Sequence, residues 1–369
     1  MHNKNKSTIN HRLKAAELKN AASASSDKTL SMRFDSLISI LKLLAISLLG
    51  LNSAFASENI SACNPAPDGV AELVVLREKF YTVRGPLAEF DPCHRSVELS
   101  MHSKVFGPKV EGKPPLVIIA HGGGGLGKLE NNMAVALNRE GFATLVFDAY
   151  QMNGFNQGYA LFGSQVSNDA RQRMIFKTML GAYKWALKHP DIDNQRIFLQ
   201  GVSNGGSAVL NMAAAVDPAF VKGVFAEGSP QAGIGFPDTI KVPVRMINGR
   251  LDNYGGLTQD DWMWARKAPC KFISRYSIAP AGTAENCNRQ KNQELFSLSP
   301  LEWSEQQKSK GADIDNWFYD HAAHGIMQGI IDRKMLTYGT DVVTFSWTGS
   351  DQSAKNKLIK DMASFINTH

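Results

Sequence analysis

The chain has 369 residues, of which 43% are hydrophobic and 20% charged, so it can bury the core of one large or two small globular domains. Its net charge of +6 comes mainly from residues 1–56, which hold eight Lys or Arg and three Asp or Glu, whereas the rest holds 32 and 31. The body is therefore nearly neutral, and its charge gives no reason to expect a nucleic-acid partner.

Residues 32–56 have the order of a secretory signal peptide: a weakly basic start, an apolar core at 43–51, and Ala-Phe-Ala before the expected cut after Ala56. The apolar core is shorter than the roughly 20 residues of a membrane span, so membrane contact is expected only if this segment stays uncleaved. A lipoprotein-type Cys63 is the weaker alternative, because polar residues separate it from the apolar run. Residues 1–31 are polar and aperiodic, which predicts a disordered or non-native extension with Met32 as a possible translation start.

Four cysteines follow the predicted cleavage site, and an even number beyond a signal peptide suggests two disulfides. Three pairings are possible, of which the local pairs Cys63–Cys93 and Cys270–Cys287 are the simplest. There is no Cys-x-x-Cys and no His at metal-ligand spacing from a cysteine, so we expect no metal or other cofactor. The leader and the cysteines together predict a periplasmic or secreted protein.

From about residue 70, short apolar runs alternate with amphipathic ones. Strands are predicted at 74–76, 97–101, 115–120, 142–147, 196–200, 221–226, 242–247 and, as the last strand, 317–319. Helices are predicted at 129–139, at 169–188, after residue 206 and at 353–368. The first two strands suggest an antiparallel start, and the continuous apolar strands that follow predict a parallel α/β sheet buried on both faces. Ligands of such sheets bind at the carboxyl ends of the strands.

The most informative motif is the sequence GVSNGG at residues 201–206. An apolar strand precedes it and a helix of small residues follows, which is the context of a nucleophile elbow. The glycines let the backbones approach, and the helix N-terminus directs N–H groups at the charge that forms during acyl transfer. The motif therefore predicts Ser203 as a nucleophile, with a plain glycine-rich turn as the alternative.

A serine hydroxyl needs a general base, normally an imidazole that a carboxylate holds in one tautomer. Asp252 follows the strand at 242–247 in a turn-rich loop, and His324 follows the strand at 317–319. Every candidate thus comes after a strand end, and the order Ser203, Asp252, His324 is the order of α/β-hydrolases. We therefore predict these three as the catalytic residues.

Alternatives exist for two members of this triad. Asp260 and Asp261 could replace Asp252, although we expect both to lie inside a helix. His321 competes with His324, but Gly325 lets the chain turn sharply after His324. His321 is therefore expected to be a surface or supporting residue.

The oxyanion of an acyl-transfer intermediate needs two donors that are already in place. We expect one from the backbone N–H of Asn204 and the other from Gly122 or Gly123, within the sequence HGGGG at 121–125 that follows a buried strand. A phosphate-binding loop is the rival interpretation, but no Gly-Lys-Ser/Thr follows. His121 is expected to be a structural hydrogen bonder.

These motifs resemble the α/β-hydrolases of the dienelactone hydrolase-like family over residues 115–369. The resemblance rests on HGGGG, on the stretch from Arg171 through HPDIDNQRIFLQGVSNGG, on Asp252, and on Tyr-x-x-Ala-Ala-His-Gly ending at Gly325. It implies an α/β-hydrolase fold at 57–369, with a mostly parallel central sheet flanked by helices on both faces. Dienelactone hydrolases proper carry cysteine where this chain has Ser203, so an ordinary serine carboxylesterase is favoured over lactone chemistry.

The 72 residues from Asp252 to His324 exceed what one crossover helix needs, which predicts a cap insertion at about 256–315. This insertion contains Trp262, Trp264, Phe296 and Trp303 with the cysteines Cys270 and Cys287. A surface elaboration that a disulfide holds together is the alternative to a cap.

The sequence thus predicts a metal-independent serine hydrolase that cleaves a small-molecule carboxylic ester through an acyl-enzyme. A peptidase or an acyltransferase on the same triad is the second interpretation. The rival from another class is a non-catalytic binding protein that retains the hydrolase fold.

Overall fold

The computed structural model describes residues 58–60, 89–101, 112–155, 168–231, 233–255, 260–267, 298–338 and 342–369. All of them belong to one compact unit, Ala56–His369. The predicted extension at 1–31, the signal peptide at 32–56, the strand at 74–76 and three of the four cysteines lie outside the described residues. The leader and the disulfide pairing therefore stay predictions.

The core of the fold is an eight-stranded sheet in the order β1-β2-β4-β3-β5-β6-β7-β8. β1 and β2 join by antiparallel pairing, β2 is also antiparallel to β4, and the six strands from β4 to β8 pair in parallel. The strand bounds are β1 Glu58–Ile60, β2 Glu98–Met101, β3 Pro115–Ala120, β4 Ala143–Val146, β5 Asp193–Val202, β6 Val221–Glu227, β7 Val244–Gly249 and β8 Ile314–Tyr319.

Helices cover both faces of this sheet, which confirms the predicted α/β-hydrolase fold. Their bounds are α1 Lys128–Arg139, α2 Ala149–Met152, α3 Asn168–Ala186, α4 Asn204–Ala215, α5 Pro300–Ser309 and α6 Gln352–Thr368. Successive residues of β3 alternate between two buried clusters, one shared with α3, α4 and α5 and the other with α1 and α6. This double burial is why the strand reads as an unbroken apolar run. Within the described residues, no helix combines the length and apolarity that a membrane span requires.

Two features differ from the sequence prediction. The strand at 317–319 is not the last, because a hairpin of β9 (Asp332–Tyr338) and β10 (Val342–Thr348) follows it. The predicted cap range also overlaps the main domain, since α5 and the start of β8 occupy its end. Trp303 of α5 lies fully in the core, where its indole N–H donates to the Pro237 carbonyl at 3.0 Å.

Phe365 of α6 joins the helix to the second cluster. Its ring packs edge-on against Phe225 at 5.4 Å and Phe198 at 6.3 Å between centroids. Aromatic pairs of this geometry add to the stabilisation that comes from burying the rings. The C-terminal helix is therefore part of the core.

We predict that Phe365→Ala lowers the free energy of unfolding by about 3–5 kcal/mol, because it leaves a cavity beside the rings of Phe198 and Phe225. The matched control is Ser364→Ala, because Ser364 directly precedes Phe365 on the same helix and its side chain is exposed. It should change stability by less than about 0.5 kcal/mol. Urea unfolding monitored by circular dichroism measures both values, and equal midpoints for the two variants would contradict the assigned packing.

Candidate active site

Ser203 lies in the turn between β5 and α4 in a strained backbone conformation, with φ 55° and ψ −119°. A non-glycine residue in such a conformation costs on the order of 1–3 kcal/mol, and it persists only where neighbours over-determine it. Here the Ser203 N–H donates to the Glu227 carbonyl at 2.8 Å, and the Ser203 carbonyl accepts from the Ser207 N–H at 3.0 Å. The geometry is that of the predicted elbow, with the turn tied to β6.

The glycines of the motif are required by close backbone contacts. A Cβ on Gly205 would lie 2.6 Å from the carbonyl oxygens of Ala120 and His121. A Cβ on Gly201 would collide with the Gly205 carbonyl, and one on Gly206 with the Ser229 hydroxyl. Because real Cβ atoms do not approach backbone this closely, the turn can form only with glycine at these positions.

Asp252 and His324 form a buried hydrogen-bonded pair. The His324 Nδ1 and the Asp252 Oδ2 are 2.9 Å apart, and the residues are only 7% and 2% exposed. The other carboxylate oxygen accepts from the Tyr254 N–H at 3.0 Å. The Tyr254 ring also stacks on the imidazole, with centroids 4.3 Å apart and planes at 18°. These contacts hold the ring with Nδ1 toward the carboxylate, which leaves Nε2 for proton transfer.

The strand end of β6 lies between this pair and the serine. A Cβ on Gly228 would lie 2.9 Å from Asp252 Oδ2 and 3.0 Å from His324 Nδ1. Its neighbour Glu227 holds the Ser203 N–H through its carbonyl. The hydrogen bonds of the described residues include none between the Ser203 hydroxyl and the His324 ring. Catalytic hydrogen bonds of this type often close only when substrate is bound.

The alternative triad residues lie elsewhere. His321 is exposed, with φ 54°, whereas His324 is buried and Gly325 takes the left-handed conformation at φ 70° that the sharp turn requires. The expectation that Asp260 and Asp261 lie inside a helix is wrong, because they occupy a turn segment. There Asp261 pairs with the Arg266 guanidinium at 2.9 Å, whereas Asp252 pairs with His324.

The predicted oxyanion donors differ in whether their backbone N–H groups are already engaged in a hydrogen bond. Asn204 is the first residue of α4, where backbone N–H groups have no partner within the helix. The Gly122 N–H, however, donates to Glu130 Oε1 at 3.2 Å. Because this bond occupies the Gly122 N–H, Gly123 is the better candidate for the second donor. His121 fits the structural role expected of it, since its Nε2 accepts from the Ala149 N–H at 3.0 Å and its Nδ1 lies 2.7 Å from the Gly122 carbonyl.

Sequence reasoning missed three buried polar residues around the site. Glu130 holds the glycine loop, because its second oxygen accepts from the Gly127 N–H at 2.9 Å. Gln172 of α3 donates to the Asn204 side chain at 3.2 Å and accepts from the Ile234 N–H at 2.8 Å. Glu227 ends β6 and accepts from the Ile326 N–H. Its place at a strand end was the signal that identified Asp252, and the same signal could have identified Glu227.

Burial changes the protonation of the two glutamates. Loss of hydration raises the pKa of Glu227 to about 7 against the smaller opposing effects of the Ile326 N–H and His324. Burial likewise raises the pKa of Glu130, although His121 and backbone N–H groups oppose the shift. Among the residues that the structure describes, no cluster of three or more His, Cys, Asp or Glu is arranged to hold a metal ion.

Comparison with known proteins confirms the family resemblance. Residues 101–279 match the model of the dienelactone hydrolase family. An uncharacterised 31.7 kDa protein from the traX-finO intergenic region of Escherichia coli is 36% identical over 107 residues, which cover 28% of this chain and 33% of that protein. The quorum-quenching protein AidA of Acinetobacter baumannii is 30% identical over 134 residues, covering 35% and 40%. The matches therefore span well under half of each relative.

Among solved structures, the dienelactone hydrolase of Anabaena variabilis is similar over 74% of this chain and 91% of its own, with 16% identity and a TM-score of 0.43. The esterase 2 of Thermogutta terrifontis is similar over 74% and 89%, with 12% identity and a TM-score of 0.42.

We predict that Gly205→Ala destabilises the fold by at least the roughly 1–3 kcal/mol that overpacking costs, because its Cβ meets two backbone carbonyls. Gly127→Ala is the matched control, since its Cβ would meet only Glu130 Oε2, at an ordinary 3.7 Å. Thermal unfolding compares the two variants with the wild type. A Gly205→Ala protein as stable as the Gly127→Ala protein would refute the tight turn.

Proposed function

We propose that this chain, which matches the dienelactone hydrolase family model over residues 101–279, is a hydrolase that cleaves carboxylic esters through Ser203, His324 and Asp252. The observation that carries the proposal is the buried 2.9 Å bond between His324 Nδ1 and Asp252 Oδ2, at the strand ends next to the strained Ser203 turn. A buried carboxylate that accepts from Nδ1–H leaves Nε2 unprotonated, as a general base requires.

The reaction follows from this arrangement. The Ser203 oxygen attacks the ester carbonyl carbon while its proton passes to His324 Nε2. The carbonyl oxygen becomes an anion, which the N–H groups of Asn204 and Gly123 stabilise. Collapse breaks the bond to the alcohol, which leaves with the proton from Nε2. Water then attacks the acyl group by the same steps and releases the acid.

We further propose that the mature protein acts outside the cytoplasm, in the periplasm or after secretion. The support is the signal-peptide pattern at 32–56 and the even number of cysteines beyond it. Sequencing the N-terminus of the protein purified from its native host tests this, with a start just after Ala56 as the expected result. A mature chain that retains residues 32–56 in the cytoplasm would contradict it.

Ser203→Ala should reduce kcat for p-nitrophenyl esters by at least about 10³-fold, because the nucleophile is lost while the other residues of the site remain. Ser309→Ala is the control, since this serine is exposed on α5, far from the elbow in sequence. A panel that adds peptide anilides and alcohol acceptors separates esterase from peptidase and acyltransferase activity. Ester turnover that is equal in Ser203→Ala and wild type would reject the proposed mechanism, and its absence from the wild type would favour a binding protein.

Asp252→Asn should lower kcat by up to about 10⁴-fold, because an amide no longer selects the Nδ1–H tautomer of His324. Asp261→Asn is a matched control, since this carboxylate pairs with Arg266 instead. We expect the control to retain activity close to that of the wild type. A larger loss of kcat in Asp261→Asn than in Asp252→Asn would indicate that Asp261 is the carboxylate that orients His324.

A further inference from the structure

We propose, on the basis of the proposed hydrolase function, that Glu227 is a positioning residue that ties the Ser203 turn to the His324 loop and acts as a second carboxyl group beside the imidazole. Its backbone and its side chain each accept a hydrogen bond from a segment of the site. Its backbone carbonyl accepts from the Ser203 N–H at 2.8 Å, and its side-chain Oε1 accepts from the Ile326 N–H, two residues after His324. One residue therefore fixes the nucleophile and the base relative to each other.

The side chain of Glu227 is unusual for a structural carboxylate. Glu227 is only 1% exposed, and its Oε2 is buried without a hydrogen-bond partner among the described residues. A buried carboxyl group with only one hydrogen-bonded oxygen lowers the stability of the fold, which indicates that it has a role other than stabilisation. The free oxygen belongs to a group that interacts electrostatically with both His324 and Asp252.

Gln200 is a second buried polar side chain on the same face of the sheet as Glu227. It pairs with Phe225 in the β5–β6 register, and Glu227 is two residues beyond Phe225, so both side chains emerge on the same face of the sheet. Gln200 is fully buried, and neither its Oε1 nor its Nε2 has a partner among the described residues. The β5–β6 face beside the site thus carries two buried polar side chains with unsatisfied atoms, Gln200 and Glu227.

The ionisable groups that face Glu227 come from four elements. His324 lies in the loop after β8, Asp252 in the loop after β7, Glu130 on α1 and Tyr319 at the end of β8. Burial raises the pKa of Glu227 to about 7, so it is mostly neutral below that pH and mostly charged above it. A charged Glu227 adds a second anion near His324 and favours the protonated imidazole. The charges on Glu227 and His324 are therefore coupled.

Two substitutions separate the two roles. Glu227→Gln keeps an oxygen that accepts from the Ile326 N–H but removes the ionisable group. Its acid limb in the pH profile of kcat/KM should move to lower pH by about 0.3–1 units, because a coupled anion is gone. At pH 9, kcat should stay within threefold of the wild type, a margin of roughly 0.7 kcal/mol. Glu227→Leu also removes the acceptor, so kcat should fall about 10–100-fold with KM little changed.

Glu302 provides the matched control, because its carboxylate accepts from the Ser299 N–H at 2.8 Å at the start of α5, outside the triad. Glu302→Gln and Glu302→Leu should move neither the acid limb nor kcat. Thermal unfolding of all variants establishes that each is folded. If Glu227→Leu does not fold, the Glu227→Gln protein decides the proposal.

The closing experiment follows the His324 ring by NMR in protein labelled with ¹³C-histidine, with its signal assigned from its loss in His324→Gln. In Glu227→Gln the ring should lose its proton at lower pH than in the wild type. The same titration midpoint and the same acid limb in both proteins would overturn the proposal, as would wild-type kcat in a folded Glu227→Leu protein. This readout needs no turnover. A wild type without esterase activity would therefore defeat the proposed function while the NMR result still decides the coupling between Glu227 and His324.

Discussion

The backbone conformation of Ser203 is the constraint on which the rest of the site depends. A serine at φ 55° and ψ −119° is held only because the ends of three strands converge on it. β5 leads into the turn, and the carbonyls at the end of β3 lie against Gly205. The carbonyl of the last residue of β6 accepts a hydrogen bond from the Ser203 N–H. Each contact needs glycine or backbone at a fixed place, which explains why the motif contains three glycines. The packing of the sheet therefore offsets the free-energy cost of the strained backbone at Ser203.

Three buried carboxyl groups border the site. Asp252, Glu227 and Glu130 are all buried, and each accepts at least one backbone N–H from a loop that borders the site. Hydrogen bonds to charged groups are stronger in a poorly hydrated interior, so these carboxyls stiffen the loops they hold. The same burial makes it unfavourable for all of them to ionise together. Protonation of one carboxyl is thus linked to the charge on its neighbours.

The sheet and the positions of Ser203, Asp252 and His324 after strand ends could be predicted from the sequence because both rest on local patterns. The run from Pro115 to Ala120 is apolar throughout, and the observed β3 has the predicted bounds. Asp252 and His324 follow strands that such runs identify, and a histidine followed by Gly325 indicates the turn. These signals lie within a few residues of the positions they predict.

What could not be predicted depends on contacts between distant segments. The engagement of the Gly122 N–H by Glu130 requires α1 to pack against the glycine loop. Residues 300–309 fall within the predicted cap range, because only the packing of Trp303 on Phe236 shows that α5 belongs to the core. No local pattern predicts the β9–β10 hairpin, although β10 contacts the loops that carry Asp252 and His324. The Trp347 N–H donates to Asn253 Oδ1 at 2.9 Å, and the Trp347 carbonyl accepts from the His324 N–H at 3.3 Å.

The nucleophilic role of Ser203 is tested most directly by mapping the site of covalent labelling by a fluorophosphonate with peptide mass spectrometry. We expect one adduct per chain, on Ser203, with labelling strongly slowed in His324→Gln because the base no longer activates the hydroxyl. An unlabelled wild type, an adduct on another residue, or equal labelling of Ser203→Ala would contradict it.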